Sequence, residues 1–207
     1  MKPLMPLLAA LALGMNATGA PVQVGQKLPP VQIQAGGMLV PHCKVVDGRM
    51  VLESRELGAR AWSSQEMEGR VRTIYHLAAR MGIDDLNKPF IDALIAAKLP
   101  EYAPDGEYKT ITILNLADAL WGTTGMGRSR LAGSQRDFPY AVHVLDEQGV
   151  ARAAWDLQPK QSAVIILDRD GTVLFFKEGK LTPEEIGRAV GIIKERLERP
   201  GKASPHR

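Results

Sequence analysis

The chain has 207 residues, 45% of them hydrophobic and 24% charged, and a formal net charge of +3. That is one domain's worth of sequence with enough apolar residues to bury a core, which excludes a disordered chain. The small basic excess sits partly in a C-terminal tail (Lys194, Arg196, Arg199, Lys202, Arg207) that reads as a solvated end, and no strongly basic nucleic-acid-binding module is present.

Lys2, an apolar run over residues 4–15, and the small residues Ala17, Thr18, Gly19 and Ala20 follow the order of a secretory signal peptide. The expectation is a signal peptide over residues 1–19, cut after Gly19, and a periplasmic mature protein. The run is too short to span a bilayer comfortably, and no later segment is long and apolar enough to replace it as a transmembrane anchor. No cysteine closes the run to carry a lipid. Cys43 is the one cysteine, so the chain forms no internal disulfide and runs no two-cysteine exchange by itself.

Past an irregular stretch containing Gly25-Gln-Lys-Leu-Pro-Pro30, apolar residues 38–40 and 45–52 are broken by Asp47-Gly48, a hairpin turn signal. Residues 20–60 are therefore expected to form a β-rich N-terminal extension. The following polar stretch carries Trp62 as an anchor, and Ser63 or Ser64 is placed to cap one helical turn with Glu66. Residues 71–78 predict a central strand, with Ile74, His76 and Ala78 on one face and Thr73, Tyr75 and Leu77 on the other. From Asp85, the spacing of Leu86, Phe90, Ile91, Leu94, Ile95 and Leu99 predicts a helix with Pro89 in its first turn. Residues 108–116 alternate and are β-branched, so they predict a strand. A Gly-rich loop over 121–127 and a basic helix over 128–136 follow. Residues 142–145 predict another strand, and 163–167 and 172–176 a hairpin turning at Asp168-Arg-Asp-Gly171. Thr182-Pro-Glu-Glu185 opens the last helix with a capping box, and Ile186, Val190, Ile193 and Leu197 form its buried stripe.

This order predicts an α/β, thioredoxin-like fold over residues 61–199: a central mixed sheet flanked by helices, with residues 200–207 a basic flexible tail. Gly25-x-x-Leu-Pro29 and Glu68-Gly69-Arg70-Val71 resemble the N-terminal arm of peroxiredoxin and periplasmic thioredoxin-like reductase proteins. Over residues 25–197 the matching positions are Ala61-Trp62-Ser63, Arg70-Val71-Arg72 with His76 and Arg80, Ala97-Lys98-Leu99-Pro100, and Thr112-Ile113-x-Asn115 with Asp118-Ala119. They continue through Gly125-Met126 with Arg128-Ser129, Ser162-Ala163-Val164, and Leu167-Asp168-x-Asp170-Gly171. On these the chain resembles the YtfJ family of small exported bacterial proteins. That resemblance implies a thioredoxin-like fold, a periplasmic location and no agreed catalytic chemistry. It lapses over residues 39–53, so it lends Cys43 no role.

In thioredoxins the turn after the central strand carries Cys-x-x-Cys at a helix N-terminus, which favours a thiolate. Here that turn reads Ala79-Arg80-Met81-Gly82, and the position of the substrate-facing cis-proline reads Ser162. Disulfide exchange at the turn is excluded and no catalytic residue is assigned; Cys43, far upstream, is the weak alternative as a lone redox thiol. His76 and Arg80 flank the turn and are candidates for holding a carboxylate or other anion; the alternative has His76 satisfied by backbone and Arg80 paired with Asp84 or Asp85. Arg128, with Arg130, is a second anion candidate beside Gly122–Gly127, which lacks both the P-loop and the Gly-x-Gly-x-x-Gly order. His42 beside Cys43 supplies two ligands and no closed metal site. No cofactor and no nucleic acid partner are expected. The expected function is a monomeric binder of a periplasmic protein or peptide at His76, Arg80, the Gly-rich loop and Ser162. A single-cysteine thiol protein using Cys43 and an anion or small-ligand binder at Arg80 and Arg128 are the alternatives.

Overall fold

The structure, a computed structural model, describes residues 19–66, 68–100 and 106–199. The expected signal peptide, up to residue 18, and the expected tail, residues 200–207, lie outside the described residues. The elements run β1 (Gln32–Val46), β2 (Arg49–Ser63), β3 (Val71–Ala78), α1 (Ile83–Leu86), α2 (Lys88–Ala96) and β4 (Tyr108–Asn115). After a 3-10 turn (Leu116–Asp118) come α3 (Thr124–Asp137), β5 (Val142–Asp146), α4 (Val150–Ala154), β6 (Ser162–Leu167), β7 (Val173–Glu178) and α5 (Pro183–Glu198).

The seven strands of the described residues form one mixed sheet in the order β2-β1-β5-β4-β3-β6-β7. β3, β4 and β5 are parallel, and β6, β7, β1 and β2 add antiparallel to the two sides. Every residue of β3 is buried, because its two faces meet two different cores. Tyr75 and Leu77 pack with Phe90, Leu94, Leu131 and Ile193 beneath the helices α2, α3 and α5. Ile74 packs on the other side with Trp62, Ile113, Ala151 and Trp155, beneath α4 and the N-terminal arm. The arm is pinned by Trp155 Nε1, which donates to the Pro29 carbonyl at 2.8 Å, and by Gly25 N–H, which donates to the Val173 carbonyl at 2.8 Å.

Asp47 and Gly48 both have positive φ (49° and 73°), as the tight turn of the β1–β2 hairpin requires. The hairpin is longer than the sequence suggests. β2 continues through the polar stretch to Ser63, since most of its length is exposed and needs no apolar alternation. Beyond it the Glu66 carboxylate accepts from Ser63 N–H at 2.9 Å, but Glu66 N–H donates to the Ser63 backbone carbonyl and Ser63 Oγ accepts from Gln65 N–H. Half of the capping box forms, and it closes a turn with no helix following.

Three other expectations change. The helix expected from Asp85 to Leu99 splits at Asn87 into α1 and α2, with Pro89 in the first turn of α2, and residue 98 turns left-handed (φ 49°). The Gly-rich stretch is mostly helix, because α3 begins at Thr124. Gly127 explains the glycine: a Cβ there would sit 3.3 Å from Leu114 Cδ2 and 3.4 Å from Leu116 Cδ2, so its absence lets α3 close on β4. The short α4 has no sequence expectation; Asp146 creates it by accepting from the N–H groups of Val150 and Ala151 at 2.9 and 2.8 Å. The capping box of α5 forms as expected, Thr182 Oγ1 accepting from Glu185 N–H and Glu185 Oε2 from Thr182 N–H.

Candidate functional site

The parallel strands β3 and β4 end at one edge of the molecule, where Ala79-Arg80-Met81-Gly82 leads into α1. Open α/β sheets build their sites at this edge. A cleft of about 300 Å³ opens there between the end of β3, α2 and α3. Tyr75, Leu77 and Leu114 form its floor, and Ile91, Gly127 and Leu131 its walls. Met81, Leu120 and Met126 line the mouth, and all three are exposed large apolar side chains. Trp121, next in the chain to Leu120, is fully exposed. Such apolar exposure in one place marks a binding surface more often than scattered single residues do.

Charge is confined to the rim. Arg130 Nη1 meets Asp84 Oδ2 at 3.0 Å, so those two cancel. Arg80 Nε donates to the Asp118 carbonyl at 2.8 Å, a neutral partner, and not to Asp84 or Asp85. Arg80 forms no ion pair among the described residues. The Tyr75 phenol lies beside Asn87; burial, and then the Asp84 carboxylate, raise its pKa and keep it protonated.

The four sequence candidates do not share one site. Arg80 lines the cleft. Arg128 does not; it turns to Glu147, 2.7 Å away, and Arg130 takes the place at the cleft. His76 alternates with Tyr75 and is buried on the α4 side, facing the region of Asp118 and Arg152. Burial pushes its pKa down to about 4, so the ring is neutral at physiological pH, and its Nε2 has no hydrogen-bond partner among the described residues. Ser162 is fully buried, and its Oγ accepts from Asn87 Nδ2 at 3.2 Å.

Asn87 is the residue that sequence reasoning missed here. Its Nδ2 also donates to the Gly179 carbonyl at 2.8 Å, and its Oδ1 accepts from Leu181 N–H at 2.9 Å. One buried amide thus fastens the α1–α2 junction to the start of β6 and to the β7–α5 connection. The Gln161 carbonyl accepts from Ala78 N–H at 3.2 Å, so this backbone is tied back to β3.

Cys43 lies on β1, half-buried, away from the cleft. Burial, and then Glu53, raise its thiol pKa above the usual value, the reverse of what a reactive thiolate requires. His143 is a satisfied core histidine. Gln135 donates its amide to carbonyls, so its Oε1 (3.1 Å) accepts from His143 Nδ1–H, leaving Nε2 to accept from Ser134 Oγ at 2.9 Å.

The comparisons agree with the geometry. A family model described as "Bacterial protein of unknown function (YtfJ_HI0045)" matches residues 22–196. The uncharacterized protein YtfJ of Escherichia coli (strain K12) is 34% identical over 190 residues, covering 92% of this chain and 95% of that one. An uncharacterized Haemophilus influenzae protein is 29% identical over 192 residues, covering 93% and 96%. Among solved structures, a Chlorobium tepidum chain named as the thiol:disulfide interchange protein DsbE gives a TM-score of 0.54 at 15% identity, over 85% of this chain and 99% of that one. A Bacteroides thetaiotaomicron chain named as a protein disulfide isomerase gives 0.52 at 16% identity, over 88% and 95%. At those identities the likeness shows the fold, which is thioredoxin-like. With the family model matching residues 22–196, which take in the whole sheet, the chain belongs to the YtfJ family.

Proposed function

We propose that this protein is an exported thioredoxin-fold binding module that holds a peptide or protein partner at the cleft and exchanges no disulfide itself. The carrying observation is the apolar cleft at the end of β3, rimmed by Met81, Leu120 and Met126 with the exposed Trp121 next in the chain to Leu120, on the edge where this fold builds its sites. The turn beside it, Ala79 to Gly82, offers no thiol or hydroxyl, and Cys43 sits elsewhere with a poorly ionised thiol. The two methionines give the rim a surface that adapts to varied apolar side chains. No helix among the described residues is long and apolar enough to cross a membrane, and the export reading rests on the N-terminal sequence pattern.

The test uses tryptophan emission, since Trp121 is exposed while Trp62 and Trp155 are buried. Peptides with large apolar residues are expected to shift the emission to shorter wavelength saturably in wild type. A Leu120→Glu, Met126→Glu double variant is expected to lose that response. Saturable binding that ignores the double variant, or no binding by any apolar peptide, sinks the reading. Peroxide consumption that disappears in a Cys43→Ser variant would establish thiol chemistry instead.

A further inference from the structure

We infer that the partner's recognised element is the free C-terminus of a polypeptide ending in a large apolar residue, its side chain in the cleft and its α-carboxylate on Arg80. The inference rests on the peptide-binding reading above and adds the chemistry of the partner. Among the described residues three charged side chains line the cleft, and the Asp84–Arg130 pair at 3.0 Å cancels two of them. Arg80 is left with a carbonyl on Nε at 2.8 Å and no carboxylate partner among the described residues. That bond orients the guanidinium and leaves its Nη groups for a ligand. The complement to an apolar cleft with one uncompensated cation at its mouth is an apolar body carrying one carboxylate.

Size narrows the source. About 300 Å³ holds on the order of ten water-sized groups, enough for one bulky side chain and part of its neighbour. From Leu120 at the mouth, exposed apolar surface continues along the chain to Trp121. A ligand that fills the cleft and also covers this surface extends beyond a compact small acid, as a polypeptide end does. Capture of a terminal carboxylate by fixed donors is an established mode of peptide recognition.

The experiment measures fluorescence anisotropy of an N-terminally labelled octapeptide ending in Leu-Phe, as free acid and as C-terminal amide, with decanoate as a third ligand. On the wild-type chain the acid is expected to bind at least tenfold tighter than the amide. The preference is expected to vanish in Arg80→Gln and to return in part in Arg80→Lys. Equal binding of acid and amide by wild type overturns the inference and leaves apolar peptide binding standing. Failure of both peptides overturns both readings. Binding of decanoate with neither peptide bound makes the ligand a free amphiphilic acid and also overturns the inference. The wild-type comparison decides the matter even where a variant fails to fold.

Discussion

Asp84 and Arg130 meet across the mouth of the cleft, carboxylate to guanidinium at 3.0 Å, with both side chains about half exposed. A pair so exposed is worth roughly 0–1 kcal/mol to stability. Its larger effect is on the charge that Arg80 presents. Arg130→Ala leaves Asp84 unpaired in the cleft that Arg80 also lines and is expected to weaken binding of an acidic ligand, on the order of fivefold at low salt. Asp84→Asn is expected to act in the opposite direction. Titrations at low and high salt, with urea melts as control, check both signs. A loss above about 2 kcal/mol on breaking the pair would mean that it braces the fold.

Two glycines of α3 are expected to respond differently to a methyl group. Nothing lies within 4 Å of a Cβ built at Gly125, whereas one at Gly127 meets Leu114 and Leu116 at 3.3 and 3.4 Å. Gly125→Ala is expected to stabilise by roughly 0.5–1 kcal/mol through helix propensity. Gly127→Ala is expected to gain less or to lose, because α3 must move off β4. Thermal melts of the two single variants measure the contrast, and equal gains would contradict the close approach.

Burial holds His76 and His143 down to about 4. Between their ordinary value, near 6.5, and about 4 the unfolded chain binds more protons than the folded one. Stability is therefore fully present above the unfolded value and falls as pH drops through that window. Each histidine contributes at most about 1.4 kcal/mol per pH unit. Asp170, held to about 2 chiefly by its bond with Lys27, acts in the same direction only at lower pH, below its ordinary value of 3.8. Urea denaturation from pH 7 to 4 is expected to show a steady decline, shallower in His143→Gln. A flat profile would contradict the burial of both rings.

What the sequence made legible were features whose cause is local. Thr182 to Glu185 and Asp47-Gly48 carry their own geometry, and β4 announces itself by alternation. The missed parts depend on distant residues. β2 keeps pairing through polar residues because β1 lies beside it. Gly127 looks like part of a loop until Leu114 and Leu116 stand opposite it. α4 exists because Asp146 caps it. Arg80 was legible as a residue of the turn after β3, but its partner, the Asp118 carbonyl, comes from the 3-10 turn that follows β4. Arg128 and Arg130 sit two residues apart on one helix, and only the packed structure says which one faces the cleft.

The Asn87 amide closes chain separations of 75, 92 and 94 residues with three hydrogen bonds. Contacts so distant in sequence form after both halves of the sheet have come together, since loop closure precedes their reward. Asn87 therefore belongs to the late side of the folding barrier. Asn87→Ala is expected to leave the refolding rate nearly unchanged and to speed unfolding, with most of a roughly 2–4 kcal/mol loss on that limb. Stopped-flow chevrons separate the two limbs, and a slowed folding limb would place the clasp in the nucleus. The residue that joins the site's scaffold to the rest of the sheet would then set how long the native state lasts, more than how quickly it is reached.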